Sequence, residues 1–342
     1  MEAVAPPTLH DHRVLGTVAA AISLFVVVAL SIAQGGDSIA QGSSLDLGAE
    51  LAALTELGGE PLASPAEAAT AAASATGVND RRATMGASLP TTAPAPPIDP
   101  GYVMVRADGA VHGFGAAASV ATGEAGIVDA AGVGSVDGTW ILGTDGVVTA
   151  IGALTDFGDV ETGLLLPGEQ LAAIAAVPDG SGYWVVTDAG RVITFGTAAN
   201  HGDLFDAPLN GSVVAAVGTP TGSGYYLVGS DGGVFAFGDA AYRGSMAAAE
   251  LNAPLVDIAL DRDGGGYWLI GADGGVFAFD AEFRGSLNDA ALNEPIVAAA
   301  PFGDGYLLAA ADGGIFNFSE LPFLGSLSGQ SGAGIVGLAA RS

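Results

Sequence analysis

Two aspartates and two arginines have the best claim to chemistry in this chain. Asp129 and Asp257 each lie 11 residues before a tryptophan, Trp140 and Trp268, and so occupy one register of a recurring unit. Two carboxylates facing each other could bind a cation or raise each other's pKa; the alternative is that both point to solvent. A second repeated position reads Val120, Phe157, His201, Arg243, Arg284 and Leu324 along the chain. Only nine basic residues, all Arg, stand against 37 acidic ones. Arg243 and Arg284, with His201 in the same register, could therefore grip an acidic group, or else pair with the nearby Asp239 and Asp280.

Other chemistries find little to work with. There is no cysteine, which removes disulfides, thiolate metal sites and a thiol nucleophile. Of the four histidines, His10 and His12 fall near the N-terminus, leaving His112 and His201. No nucleophile elbow, His-Glu-x-x-His helix or phosphate loop occurs after residue 100, so no catalytic residue is assigned and no cofactor is implied. A carboxylate-pair hydrolase using acids at a central channel, with or without a metal, stays as an alternative. Single aspartates at Asp108, Asp145, Asp188, Asp231, Asp273 and Asp312 do not make calcium loops, which gather several oxygen ligands from one segment. The denser Asp261-Arg262-Asp263-Gly264 has an arginine between its acids, and whether any metal binds is left open. The net charge of −28 repels phosphate backbones and argues against nucleic acid.

The elements that must position these residues announce themselves by repetition. Gly-Tyr-Trp or a variant, a short apolar run, Asp-Gly and a second apolar-aromatic run recur from Gly101, Gly138, Gly182, Gly224, Gly266 and Gly305. The intervals suit four-stranded propeller blades rather than single hairpins. In the repeat around Gly266 the expected strands are Leu255–Leu260, Tyr267–Gly271, Val276–Phe279 and an outer strand over Phe283–Leu287. Asp-Gly and Gly-Gly supply the positive φ that tight hairpins need. Small-residue segments such as LAAIAA (171–176) and VVAAVG (213–218) fit inner strands crowded round an axis. Residues 101–342 begin with a second strand and end on a lone inner strand, IVGLAARS. The sequence thus predicts an all-β, six-bladed β-propeller closed by its C-terminal strand, which removes open sheet edges. Asp129 and Asp257 then fall in opposite blades.

Upstream, Val14 to Ala33 is an uncharged apolar run of about 30 Å as a helix, long enough for a bilayer. Arg13 before it and Asp37, Asp46 and Glu50 after it place residues 1–13 in the cytoplasm. Cleavage after Ser31-Ile32-Ala33 is the rival reading, as a signal segment; both readings export the C-terminal part. Residues 34–100, rich in Ala, Pro, Ser and Thr, read as a disordered linker with a stiff proline-rich end.

The string GYWLIGADGGVFAFDAEFRGSLND (266–289) resembles the Gly-Tyr-Trp/Asp-Gly-Gly-Val-Phe repeat of secreted actinobacterial proteins, which are described as propeller-like or WD-repeat-like. The resemblance covers 101–342 and is strongest in the last four repeats. It implies an extracellular module that often accompanies wall-acting domains, none of which is attached here, and it brings no catalytic residues. The expectation is a membrane-tethered extracellular binding module for an envelope glycan or protein, with an envelope spacer as a further alternative.

Overall fold

The computed structural model describes residues 99–342 apart from 134–136, 289 and 333. The anchor expected over 14–33 and nearly all of the linker lie outside these residues. Among the described residues no helix is long and apolar enough to cross a membrane.

The described chain is all-β and forms six blade-like antiparallel sheets. The first holds β1 (Gly101–Arg106), β2 (Ala110–Gly115) and β3 (Val120–Ala121). The second holds β4 (Ile127–Gly132), β5 (Gly138–Gly143) and β6 (Val148–Gly152), and the third β7 (Leu171–Ala176), β8 (Gly182–Thr187) and β9 (Val192–Gly196). The fourth holds β10 (Val213–Gly218), β11 (Gly224–Gly229) and β12 (Val234–Gly238). The fifth holds β13 (Leu255–Leu260), β14 (Tyr267–Gly271) and β15 (Val276–Phe279). The sixth holds β16 (Ile296–Phe302), β17 (Gly305–Ala310) and β18 (Ile315–Phe318). The last strand, β19 (Ile335–Arg341), returns to the first sheet and pairs antiparallel with β1, Gly101 opposite Arg341. The innermost strands touch in sequence, β4 on β7, β7 on β10, β10 on β13, β13 on β16, β16 on β19 and β19 on β4.

Burial follows from the repeat. Each second strand is apolar on both faces and lies between neighbouring sheets, so β8, β11 and β17 are buried along their whole length. The core is therefore a series of layers between sheets. In one, Trp268 and Ile270 of the fifth sheet pack on Ile296, Tyr306 and Leu308 of the sixth. The Asp-Gly corners need left-handed backbone. Gly274 has φ of 80°, and a Cβ there would lie 2.6 Å from Cβ of Leu287, so no other residue fits without displacement.

The expected outer strand over Phe283–Leu287 is not formed, and among the described residues only the first sheet has a fourth strand outside its hairpin, the short β3. The reason lies in where the backbone groups go. Tyr267 donates its hydroxyl hydrogen bond to the Gly244 carbonyl of the preceding repeat at 2.7 Å, and accepts from the N–H of Arg243 and Gly244 at 3.0 Å each. Tyr102, Tyr183, Tyr225 and Tyr306 donate likewise to Gly325, Gly158, Gly202 and Gly285 at 2.5–2.6 Å. Trp184 and Trp268 pin the outer segment of their own repeat, donating to the carbonyls of Ala199 and Glu282. The latching glycine has φ of 143° at Gly244 and its missing Cβ makes room for Phe279, so the segment turns away from the ladder. Side chains from two repeats have replaced the fourth strand.

One interface departs from this scheme. Thr139 stands at the tyrosine position, Ile151 at that of its cross-strand phenylalanine, and Ala121 at that of the glycine. With no tyrosine to bond and no glycine to turn, Val120–Ala121 stays extended and pairs with Val111 and Ala110 as β3.

Candidate functional site

Asp129 and Asp257 sit at the third position of β4 and β13, where β7, β10 and β16 carry alanine and β19 glycine. A register shift between Ile127 and Asp129, and between Leu255 and Asp257, marks a bulge just before each aspartate. The same shift precedes the alanine in β7, β10 and β16, so the bulge belongs to the repeat, and both carboxylates lie on backbone N–H groups. Asp129 accepts from its neighbour Ala130 N–H at 2.7 Å and from Ile174 N–H of the next sheet at 3.0 Å. Asp257 accepts from Ile258 at 2.7 Å and from Ala299 of the next sheet at 2.6 Å. Each aspartate therefore staples two innermost strands together.

The pair is electrostatically unusual. Burial among protein atoms pushes the Asp129 carboxyl up to about 6, against the pull of its two N–H donors. Burial also raises Asp257, and the negative charge of Asp129 raises it further, to about 8. Both retain partial surface accessibility. Both carboxyls are thus held above the ordinary carboxylate range, and their titration belongs to the coupled pair rather than to either residue. Among the described residues no group of three or more His, Asp or Glu converges as a metal site.

The hairpin-corner aspartates serve the turns: Asp108, Asp145, Asp231, Asp273 and Asp312 each accept from the N–H two residues on, at 2.9–3.2 Å. Asp263 does the same for Gly265, at 2.8 Å.

On the outer segments, Arg243 pairs with Asp280 of the next repeat at 3.4 Å. Asp239 is instead held by the Thr219 hydroxyl at 2.8 Å and by the Thr221 hydroxyl, and those two bonds keep its carboxyl low. Arg284 bridges Glu282 at 2.9 Å and Asp304 at 2.8 Å, the latter at the start of the next second strand. His201 is exposed, its backbone N–H bonded to the Tyr225 hydroxyl at 3.1 Å. These cations thus lie along the outer segments of successive repeats, apart from the aspartate pair, with both arginines engaged by acids.

Beside them stands a feature that the repeat pattern conceals. The residue preceding each of those positions is Ser119, Asp156, Asn200, Tyr242, Phe283 and Phe323. The last three leave 58%, 56% and 55% of their surface exposed, on three successive repeats. Large aromatics this exposed at equivalent places on successive repeats are not core material, and their shared register makes this column a candidate interaction surface. Polar residues at the same position in three other repeats are the signal that the position faces solvent.

No family model and no curated protein matches the chain. Among solved structures, one titled "Crystal structure of Nidogen/Laminin Complex" is similar at 11% identity and a TM-score of 0.49, covering 70% of this chain and 98% of that one.

Proposed function

We propose that this protein is a non-catalytic binding module: a closed six-bladed propeller, held outside the cell by Val14–Ala33, that presents an aromatic edge to an envelope glycan or protein. The observation that carries the reading is the register of Tyr242, Phe283 and Phe323, exposed on three successive repeats and each followed by Arg243, Arg284 or Leu324. Rigid flat rings bury large area at little entropic cost, and they stack on sugar faces or apolar side chains alike. Closure is supported by β19 pairing with β1 and by the unbroken cycle of contacts among innermost strands. The actinobacterial repeat resemblance and the 20-residue apolar run support an extracellular, tethered placement.

The test is the triple substitution Tyr242→Ser, Phe283→Ser, Phe323→Ser, assayed for binding to envelope polysaccharide and to envelope protein extracts. A loss of at least tenfold with an unchanged melting temperature is expected, because the rings are largely outside the core. Undiminished binding to both fractions would sink the proposal.

A further inference from the structure

We infer that the unlatched interface between the first and second sheets is a binding site for a phenolic ring, a site separate from the aromatic edge. At the other five interfaces a tyrosine ring enters from the second strand, stacks near a phenylalanine and bonds a carbonyl across the seam. Tyr306 with Phe318 is typical, centroids 5.5 Å apart, its hydroxyl 2.5 Å from the Gly285 carbonyl. At the sixth, the smaller Thr139 and Ile151 stand in those places, and among the described residues a cavity of about 120 Å³ opens there. Its walls include Val103, Val120, Val133, Thr139 and Ile151, with Asp137 and Arg341 among its polar members.

Two facts make this more than a packing defect. First, the size suits one six-membered ring, since an apolar cavity of about 150 Å³ takes up benzene. Second, the polar groups are already fixed in place. Arg341 donates to the Ala116 carbonyl at 2.7 Å and pairs with Asp137 at 2.5 Å, while its buried Nε–H has no acceptor among the described residues. A buried donor without a partner is costly, and a ligand hydroxyl would supply the acceptor. The chain thus shows five times over what fits such a seam, a tyrosyl ring, and lacks it at the sixth. The occupant is accordingly a phenol, either free or as the tyrosine side chain of a peptide.

The experiment is calorimetric titration of the whole chain with phenol, benzene and N-acetyl-tyrosinamide. The comparison is a variant that restores the latch, Thr139→Tyr with Ile151→Phe and Ala121→Gly. The expected result is saturable binding of phenol by the native chain, at least tenfold weaker in the latch-restored variant, with benzene weaker than phenol. Tighter binding of N-acetyl-tyrosinamide than of phenol assigns a tyrosyl peptide; the reverse order assigns a free phenol. Should the triple variant not fold, Ile151→Phe alone fills the cavity from its other wall and carries the same expectation. Absence of phenol binding by the native chain, or equal affinity in native and filled proteins, overturns the inference. The aromatic-edge variant is expected to bind phenol normally, so failure here and failure of the edge are distinguishable.

Discussion

Removing a single oxygen tests whether tyrosine latches truly replace the fourth strand. Tyr267→Phe keeps a ring that is fully buried and packed 5.3 Å from Tyr226 and 5.6 Å from Phe279, so core packing is conserved. What disappears is one donated bond to Gly244 and two accepted from Arg243 and Gly244. A typical hydrogen bond contributes about 0.5–1.5 kcal/mol net. These three share one oxygen, and water reaches the half-buried Gly244, so the sum falls to about 2 kcal/mol. For a domain of this size that is a fall in melting temperature of about 4–8 °C. Denaturant titration would measure the stability, and amide exchange would locate the effect. Exchange at Arg243 and Gly244 should quicken while β14 stays protected. Thr139→Val, at the seam with no latch, should cost far less. A Tyr267→Phe loss below about 0.5 kcal/mol, with exchange at 243 and 244 unchanged, would refute the reasoning and require another support for the outer segments.

Further outcomes rest on particular residues. Asp280 adopts φ of 49° where Gly115, Gly152, Gly196 and Gly238 have 64° to 79°. Asp280→Gly should therefore stabilise the fold by up to about 1 kcal/mol, the relief of left-handed strain exceeding the loss of an exposed ion pair with Arg243. A lower denaturation midpoint would contradict this. Asp129 and Asp257 hold protons in the folded state, with pKa values of about 6 and about 8, that an unfolded chain releases near pH 3.9. Their contribution to stability is greatest below about pH 4 and declines as pH rises toward 8. Asp129→Asn removes the charge that raises Asp257, so carboxyl NMR titration should find Asp257 lower, though still above the ordinary range because it remains buried. An unmoved Asp257 would show that the two do not interact.

Much of the fold is readable because its signals are local. Asp-Gly corners, apolar second strands and small-residue first strands each encode their geometry within a few residues, and β1 does begin at Gly101. The outer segments are not readable in this way. FRGSL (283–287) has ordinary strand character, and its fate is decided by the hydroxyl of Tyr306, which belongs to the next repeat. The register of Asp129 and Asp257 can be counted from Trp140 and Trp268, but the backbone groups they reach, Ile174 and Ala299, belong to the next sheet, which apolar patterning does not specify. Tyr242, Phe283 and Phe323 escape notice because aromatic residues in a repeat suggest core. Only the polar Ser119, Asp156 and Asn200 in the same column say otherwise.

The pairing of β19 with β1 also sets the order in which the molecule can be made. Gly101 leaves the ribosome long before its partner Arg341 exists, so the first sheet waits until β19 has been made. The second to sixth sheets, each a local meander, need no such wait. Contacts so distant in sequence are slow to form because the chain's loop entropy must be lost first. During that interval β1 offers an unpaired edge. The first sheet is therefore expected to be completed last, with any chaperone dependence falling on it.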